Sequence, residues 1–123
     1  SEIIRMSRVQ WIPGSRQDLI GIIHLRDKVI PVISLHHLFA VGSKSEPGAK
    51  TRIIIVHCRG REIGIVVDAV ERVKHLSDER TSLPPHFSDN DWLTGIYHEN
   101  EEAIALIDLD ALLAQMAENE IAD

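Results

Sequence analysis

Two apolar, β-branched runs joined by a charged corner constrain this chain more than any other stretch. Gly21-Ile22-Ile23-His24-Leu25 and Val29-Ile30-Pro31-Val32-Ile33-Ser34-Leu35 flank Arg26-Asp27-Lys28. Short runs of this kind, broken by three charged residues, are written as two neighbouring strands and their turn. The stretch therefore predicts a β-hairpin. Arg26 is its odd member, because a guanidinium at a strand end between apolar runs must reach water or find a carboxylate.

The same signal recurs twice. Residues 52–57 and 63–73 form a second predicted pair around a tight Arg59-Gly60 turn, and residues 92–98 and 103–108 a third around a polar corner at 99–102. Ile53-Ile54-Ile55-Val56 and Ile63-Gly64-Ile65-Val66-Val67 are nearly continuous apolar runs, which predicts core strands covered on both faces. Gly64 inside such a run predicts a sharp bend or a close contact in a strongly curved sheet. Beyond Asp68 the apolar residues thin to Val70, Val73 and Leu76 among charges, so this strand is expected to leave the core and run over the surface.

The connecting stretches read less sharply. Residues 2–6 have the character of a strand tail, Trp11 is expected to be a packing residue, and Pro13-Gly14 a turn. Residues 35–39 predict a short helical connector, residues 41–50 an exposed loop, and Ser82-Leu83-Pro84-Pro85 an end to regular structure. Leu109, Leu112, Leu113 and Met116 recur at helical spacing, with Asp108 as the expected N-cap and an acidic tail over 114–123. At 123 residues the chain fits one domain with a core of Ile, Val and Leu. Several short strands and little helix predict an all-β barrel or sandwich with a short C-terminal helix.

Charge and composition exclude several function classes. A net charge of −6 with scattered basic residues lacks the basic stripe that nucleic acid requires. No run reaches the ~18 apolar residues of a membrane span, and no signal-peptide pattern opens the chain, so direct membrane insertion is not expected. The lone Cys58 lies at the end of an apolar run, which predicts a buried thiol and suits a reducing cytoplasm. His36-His37 and His57-Cys58 are adjacent pairs, and neighbours on a strand point to opposite faces, so neither predicts a metal site. Asp108 and Asp110 have no nucleophile or second acid cluster beside them in sequence, and capping accounts for Asp108. With no Gly-rich phosphate loop or catalytic triad, neither an enzyme nor a cofactor is expected.

Taken in order, Glu2-Ile3-Ile4-Arg5, Ile12-Pro13-Gly14, Gly21 through Arg26, Val29 through Ile33, Ile63 through Val70, Leu93-Thr94-Gly95 and Ile107 through Leu113 resemble the CheW-like family of chemotaxis adaptor domains. The resemblance covers nearly the whole chain, 1–123, as a single CheW-like domain. It implies two small SH3-like five-stranded β-barrels around a shared apolar core. It also implies a non-catalytic scaffold that links the helical tips of methyl-accepting chemoreceptors to the regulatory domain of a CheA-type histidine kinase. Such a protein works in the cytoplasm at membrane-associated receptor arrays.

Residue by residue, the family's Glu near a strand end and the Arg of its Leu-Arg-Gly turn fall on Glu2 and Arg26, which the resemblance pairs at the edge of a receptor groove. Its apolar groove wall falls on Val29, Val70 and Val73, with Arg52 near that edge. Three positions depart from the pattern: His24 stands for an Asn, Asp27 for the Gly after the Arg, and Ser34 for an Asp. A further N-terminal strand pair usual in the family is absent before Glu2, so the first barrel is expected to be incomplete. That leaves open a truncated chain, a natural short form, or self-association as a strand-swapped dimer. It also leaves open a regulatory or array-integration domain from a larger kinase or scaffold.

Overall fold

The computed structural model describes residues 2–12, 19–35, 48–84 and 91–122, with side chains omitted at Ser7 and over 117–122. The chain divides into two units, Ser1–Arg72 and Val73–Asp123. The first holds β1 (Glu2–Arg5), β2 (Gln10–Trp11), β3 (Leu19–Leu25), β4 (Lys28–Ser34), β5 (Arg52–Cys58) and β6 (Arg61–Val67) in one sheet of order β1-β5-β6-β4-β3-β2. All its neighbours are antiparallel except β4 and β6, which run parallel with Val32 beside Gly64 and Ile33 beside Ile65.

This sheet must curl. Six strands laid flat would set their outer members about 24 Å apart at the usual inter-strand spacing. The outer members here, β1 and β2, are joined by only a 3-10 turn at Met6–Arg8 and Val9, a link that reaches at most about 17 Å. Alternation then fills the inside. Ile4 lies opposite Ile53 and Ile23 opposite Ile30, and these four pack with Val9, Leu25, Val32 and Ile55 in one buried cluster.

Curvature explains two glycines of this unit, Gly64 and Gly21. A Cβ on Gly64 would lie 2.9 Å from Ile53 Cγ2 and 3.2 Å from Val32 Cγ2, which is the close approach expected from the sequence. At Gly21 the register of β3 on β4 slips, and a Cβ would come within 2.2 Å of the Gln10 carbonyl oxygen on β2. Only a residue without a side chain fits there.

The second unit holds β7 (Thr81–Ser82), β8 (Leu93–Glu99) and β9 (Glu102–Ile107) in a sheet of order β7-β8-β9, followed by α1 (Leu109–Ala122). Asp108 caps the helix as expected: its Oδ1 accepts the Ala111 N–H at 3.2 Å, and its carbonyl accepts the Leu112 N–H. Leu112, Leu113 and Met116 are buried, as their spacing predicts. The helix continues through the acidic stretch to Ala122.

All three predicted hairpins are present, each closed by two residues at positive φ: Arg26 and Asp27, Arg59 and Gly60, Asn100 and Glu101. This is the I′ geometry whose twist matches that of paired strands. The two outer hairpins also match one another. Residues 19–35 and 93–109 align without a gap at an offset of 74, sharing Leu, Gly, Ile, His, Ile, Ile and Leu at equivalent places. Their registers slip at the same point, between Leu19 and Gly21 and between Leu93 and Gly95. A 3-10 turn and a two-residue strand precede each.

The architecture is thus all-β with two sheets and one C-terminal helix, with six and three strands among the described residues where five in each barrel were expected. Ile65 is buried and Ile54, Val56, Ile63 and Val67 half-buried, so the central strands are covered on both faces, as their composition predicts. Cys58 is buried. Two expectations fail. Trp11 is 59% exposed, because β2 is a two-residue edge strand with no further strand paired to it among the described residues. The strand expected over 63–73 stops at Val67, where the apolar run meets Asp68; beyond it residues 68–77 leave the core, as expected, but join no strand. The Pro13-Gly14 turn, the connector after Leu35, most of the 41–50 loop and Pro85 lie outside the described residues.

Candidate partner-binding site

The site grows out of one end of the curled sheet. Inward-facing positions along β5 run Ile53, Ile55, His57; Glu2 lies opposite Ile55 on β1, and Glu62 opposite His57 on β6. On the hairpin, Leu25 and Lys28 face one another beside the turn that carries Arg26. The register therefore changes from aliphatic to charged as the strands reach this mouth. Two buried isoleucine layers lie below, and Glu2, Arg26, Lys28, His57 and Glu62 ring the opening.

Their contacts fall in two groups, Arg26 with Glu2, and Lys28 and His57 with Glu62. Arg26 Nη2 donates to Glu2 Oε1 at 2.6 Å, so the carboxylate this arginine finds is the one the family resemblance implies. Lys28 Nζ donates to Glu62 Oε1 at 2.8 Å, and His57 Nε2 stands 3.8 Å from Glu62 Oε2. The Lys28 hydrogen bond draws the Glu62 carboxyl below its ordinary value, aided by the charges of Lys28, His57 and Arg26 against a smaller opposing effect of burial. A cleft of about 180 Å³ opens between Glu2, Arg26, Ile55, His57 and Glu62.

Backbone geometry fixes the arginine. Arg26 has φ +49° and Asp27 φ +64°, a region that costs an L-residue roughly 1 kcal/mol. The hairpin's twist imposes it. The turn thereby aims the guanidinium at Glu2 across the mouth, while Val29, one residue past Lys28, turns outward and is 57% exposed. Val29 and Pro31 share a wider recess of about 550 Å³ with Lys28, His57, Arg61 and Glu62.

The remaining candidates lie elsewhere. Arg52 begins β5, the strand end away from His57, where its Nη1 donates to the carbonyls of Ala49 and Thr51 at 2.7 and 2.8 Å. Val70 is half-buried in the irregular stretch after β6. Val73, the first residue of the second unit, is 92% exposed. The structure thus brings Glu2, Arg26 and Val29 to one end of the first sheet and leaves Arg52 at the other. Lys28, His57 and Glu62, which sequence reasoning did not single out, complete the mouth. The cross-strand pairing that joins His57 to Glu62 across the Arg59-Gly60 turn was the signal that would have found those two.

Among the described residues no group of three or more His, Cys, Asp or Glu side chains is disposed to hold a metal ion. No helix there is long and apolar enough to cross a membrane.

Comparison with known proteins converges on one family. Residues 1–117 match the CheW-like domain. A probable chemotaxis protein CheW of Rhizobium etli is 32% identical over 108 residues, covering 85% of this chain and 68% of the relative. The chemotaxis protein CheW of Klebsiella aerogenes is 30% identical over 116 residues, covering 92% and 69%. The crystal structure of the scaffolding protein TtCheW from Thermoanaerobacter tengcongensis superposes with a TM-score of 0.75 at 32% identity, over 88% of this chain and 75% of that one. With the domain match spanning nearly its full length, this chain belongs to the CheW-like domain family.

Proposed function

We propose that the chain is a non-catalytic adaptor that couples the helical tip of methyl-accepting chemoreceptors to a CheA-type histidine kinase, at membrane-associated receptor arrays. One observation carries the site assignment. Arg26 and Glu2, twenty-four residues apart, meet at 2.6 Å on the rim of an apolar-floored mouth. Both remain partly exposed, with 73% and 34% of their side chains open to solvent, so a partner can reach them without unfolding anything. An arginine already held by a carboxylate presents its remaining N–H groups in a fixed direction. Val29 beside it offers the apolar contact that a helix laid in a groove requires.

Support for the adaptor class comes from the relatives, which are named chemotaxis proteins and, for the solved structure, a scaffolding protein. In this reading Glu2, Arg26 and Val29, gathered at one end of the first sheet, meet the receptor helix. A capture experiment tests it, with the wild-type chain and Arg26→Ala presented to a chemoreceptor cytoplasmic tip and, separately, to a CheA regulatory domain. The adaptor reading expects wild type to bind both and Arg26→Ala to lose the receptor alone. A folded wild-type chain that binds neither partner overturns it.

A further inference from the structure

His57 stands between the two openings at the mouth. It lines the cleft of about 180 Å³ with Glu2, Arg26 and Glu62, and it lines the recess of about 550 Å³ with Lys28, Arg61 and Glu62. Its side chain is 68% exposed, and Nε2 lies 3.8 Å from Glu62 Oε2, too far for a hydrogen bond. The charges that face it do not cancel. Glu2 from β1 and Glu62 from β6 are answered by Arg26 and Lys28 of the first hairpin, at 2.6 and 2.8 Å. Arg61, the first residue of β6, has no carboxylate partner among the described residues. Three cations therefore meet two anions around His57, and a proton on the imidazole raises the excess from one charge to two. Asp27 and Arg59 lie in the two turns and line neither opening.

The wider recess sets this excess beside apolar surface. Val29 and Pro31 on β4 are exposed there and Ile63 on β6 is half-buried. Glu62 keeps its charge through the neutral range, because the Lys28 hydrogen bond lowers its carboxyl. Histidine is the side-chain type whose charge changes nearest neutral pH, so the imidazole sets the charge of the mouth there. We propose that the recess receives a carboxylate of the receptor helix beside Arg61 and His57, with an apolar neighbour of that carboxylate on Val29 and Pro31, and that His57 takes up a proton as the helix binds. This rests on the adaptor reading and adds to it the chemistry of the partner and a dependence on pH. One helix face supplies both groups when an acidic and an apolar residue stand a turn apart. A carboxylate nearby favours the charged imidazole, so affinity rises as pH falls through the neutral range.

Calorimetric titration of the full chain with a chemoreceptor cytoplasmic tip tests this, at about pH 6 and about pH 8. Two buffers of different protonation heat at each pH read the protons taken up. Wild type is expected to bind about threefold to fivefold more tightly at the lower pH, the gain an exposed ion pair allows, with net proton uptake. His57→Gln, at an exposed position, removes both effects, while His24→Gln, on β3 opposite Val29, keeps both. Arg61→Gln weakens binding at both pH values. Wild-type binding that is equal at the two pH values or tighter at the higher one overturns the proposal and leaves the adaptor reading standing. So does a pH dependence that survives in His57→Gln, or Arg61→Gln binding as wild type does. A tip that binds folded wild type at neither pH overturns the adaptor reading and the proposal with it.

Discussion

Gly64→Ala measures how tightly the inside of the first sheet is filled. The added methyl would sit 2.9 Å from Ile53 Cγ2, 3.2 Å from Val32 Cγ2 and 3.5 Å from Ile55 Cδ1. Ile53 and Val32 show no exposed surface and Ile55 shows 1%. The two closest carbons belong to β-branched side chains, which hold one χ1 well and do not swing aside cheaply. Overpacking of a filled core costs about 1–3 kcal/mol. Against this, the smaller freedom of alanine in the unfolded chain returns about 0.4–1 kcal/mol. The net expectation is a loss of about 1–2 kcal/mol, or roughly 4–8 °C in Tm for a chain of this size. Gly48→Ala is the control, since a Cβ there meets nothing within 4 Å and the backbone is not left-handed. Thermal unfolding of the two variants side by side decides it. If Gly64→Ala melts no lower than Gly48→Ala, the inner face is looser than the contacts imply and the curled-sheet argument fails.

Two further changes probe the mouth. Asp27→Gly relieves a non-glycine residue at φ +64° and should stabilise the chain by roughly 0.5–1 kcal/mol in chemical denaturation; a destabilised variant would mean that Asp27 makes a contact worth more than the strain. Glu62 has its carboxyl lowered from the usual 4.5 chiefly by the Lys28 hydrogen bond, so its stabilisation is complete above that value and fades as pH falls through the lowered one. The gap in Tm between wild type and Glu62→Gln should therefore be present at pH 7 and shrink toward pH 3, and a gap that widened on acidification would contradict the assignment.

How much of this was legible in the sequence differs by element. The three hairpins were, because apolar runs and charged corners report a period of two and a turn directly. Gly64 was legible for the same reason: a glycine inside an aliphatic run has to be explained by a neighbour, and Ile53 is that neighbour. Trp11 was misread because hydrophobicity reports a preference for burial and says nothing about whether a neighbouring strand exists to provide it. The departure from the core after Asp68 was legible, because the apolar residues thin to Val70 and Val73 among charges; the length of β6 was overestimated because those valines were read as part of the strand.

The site was half legible. Arg26 announced a need for a carboxylate, and a family resemblance supplied Glu2, but nothing local in sequence connects residues twenty-four apart. His57 and Glu62 face one another within a predicted hairpin and could have been found from its turn, whereas Lys28 was hidden because its meeting with Glu62 depends on β4 and β6 becoming neighbours. The 74-residue repeat was present in the sequence throughout, as seven shared residues in seventeen. It becomes persuasive when the slipped register and the positive-φ turn recur at the same places.

The account rests most heavily on Arg26 and Glu2 acting as one unit toward a receptor, and a double-mutant cycle addresses that claim. Affinity for a chemoreceptor tip would be measured for wild type, Glu2→Ala, Arg26→Ala and the double variant. All are expected to stay folded, because an exposed ion pair contributes only ~0–1 kcal/mol to stability. Each single change should cost about 1–2 kcal/mol of binding, with the double variant little worse than either, as for coupled residues. Losses that simply add would show that the two side chains meet the partner independently, or not as a pair at all, and would contradict the account.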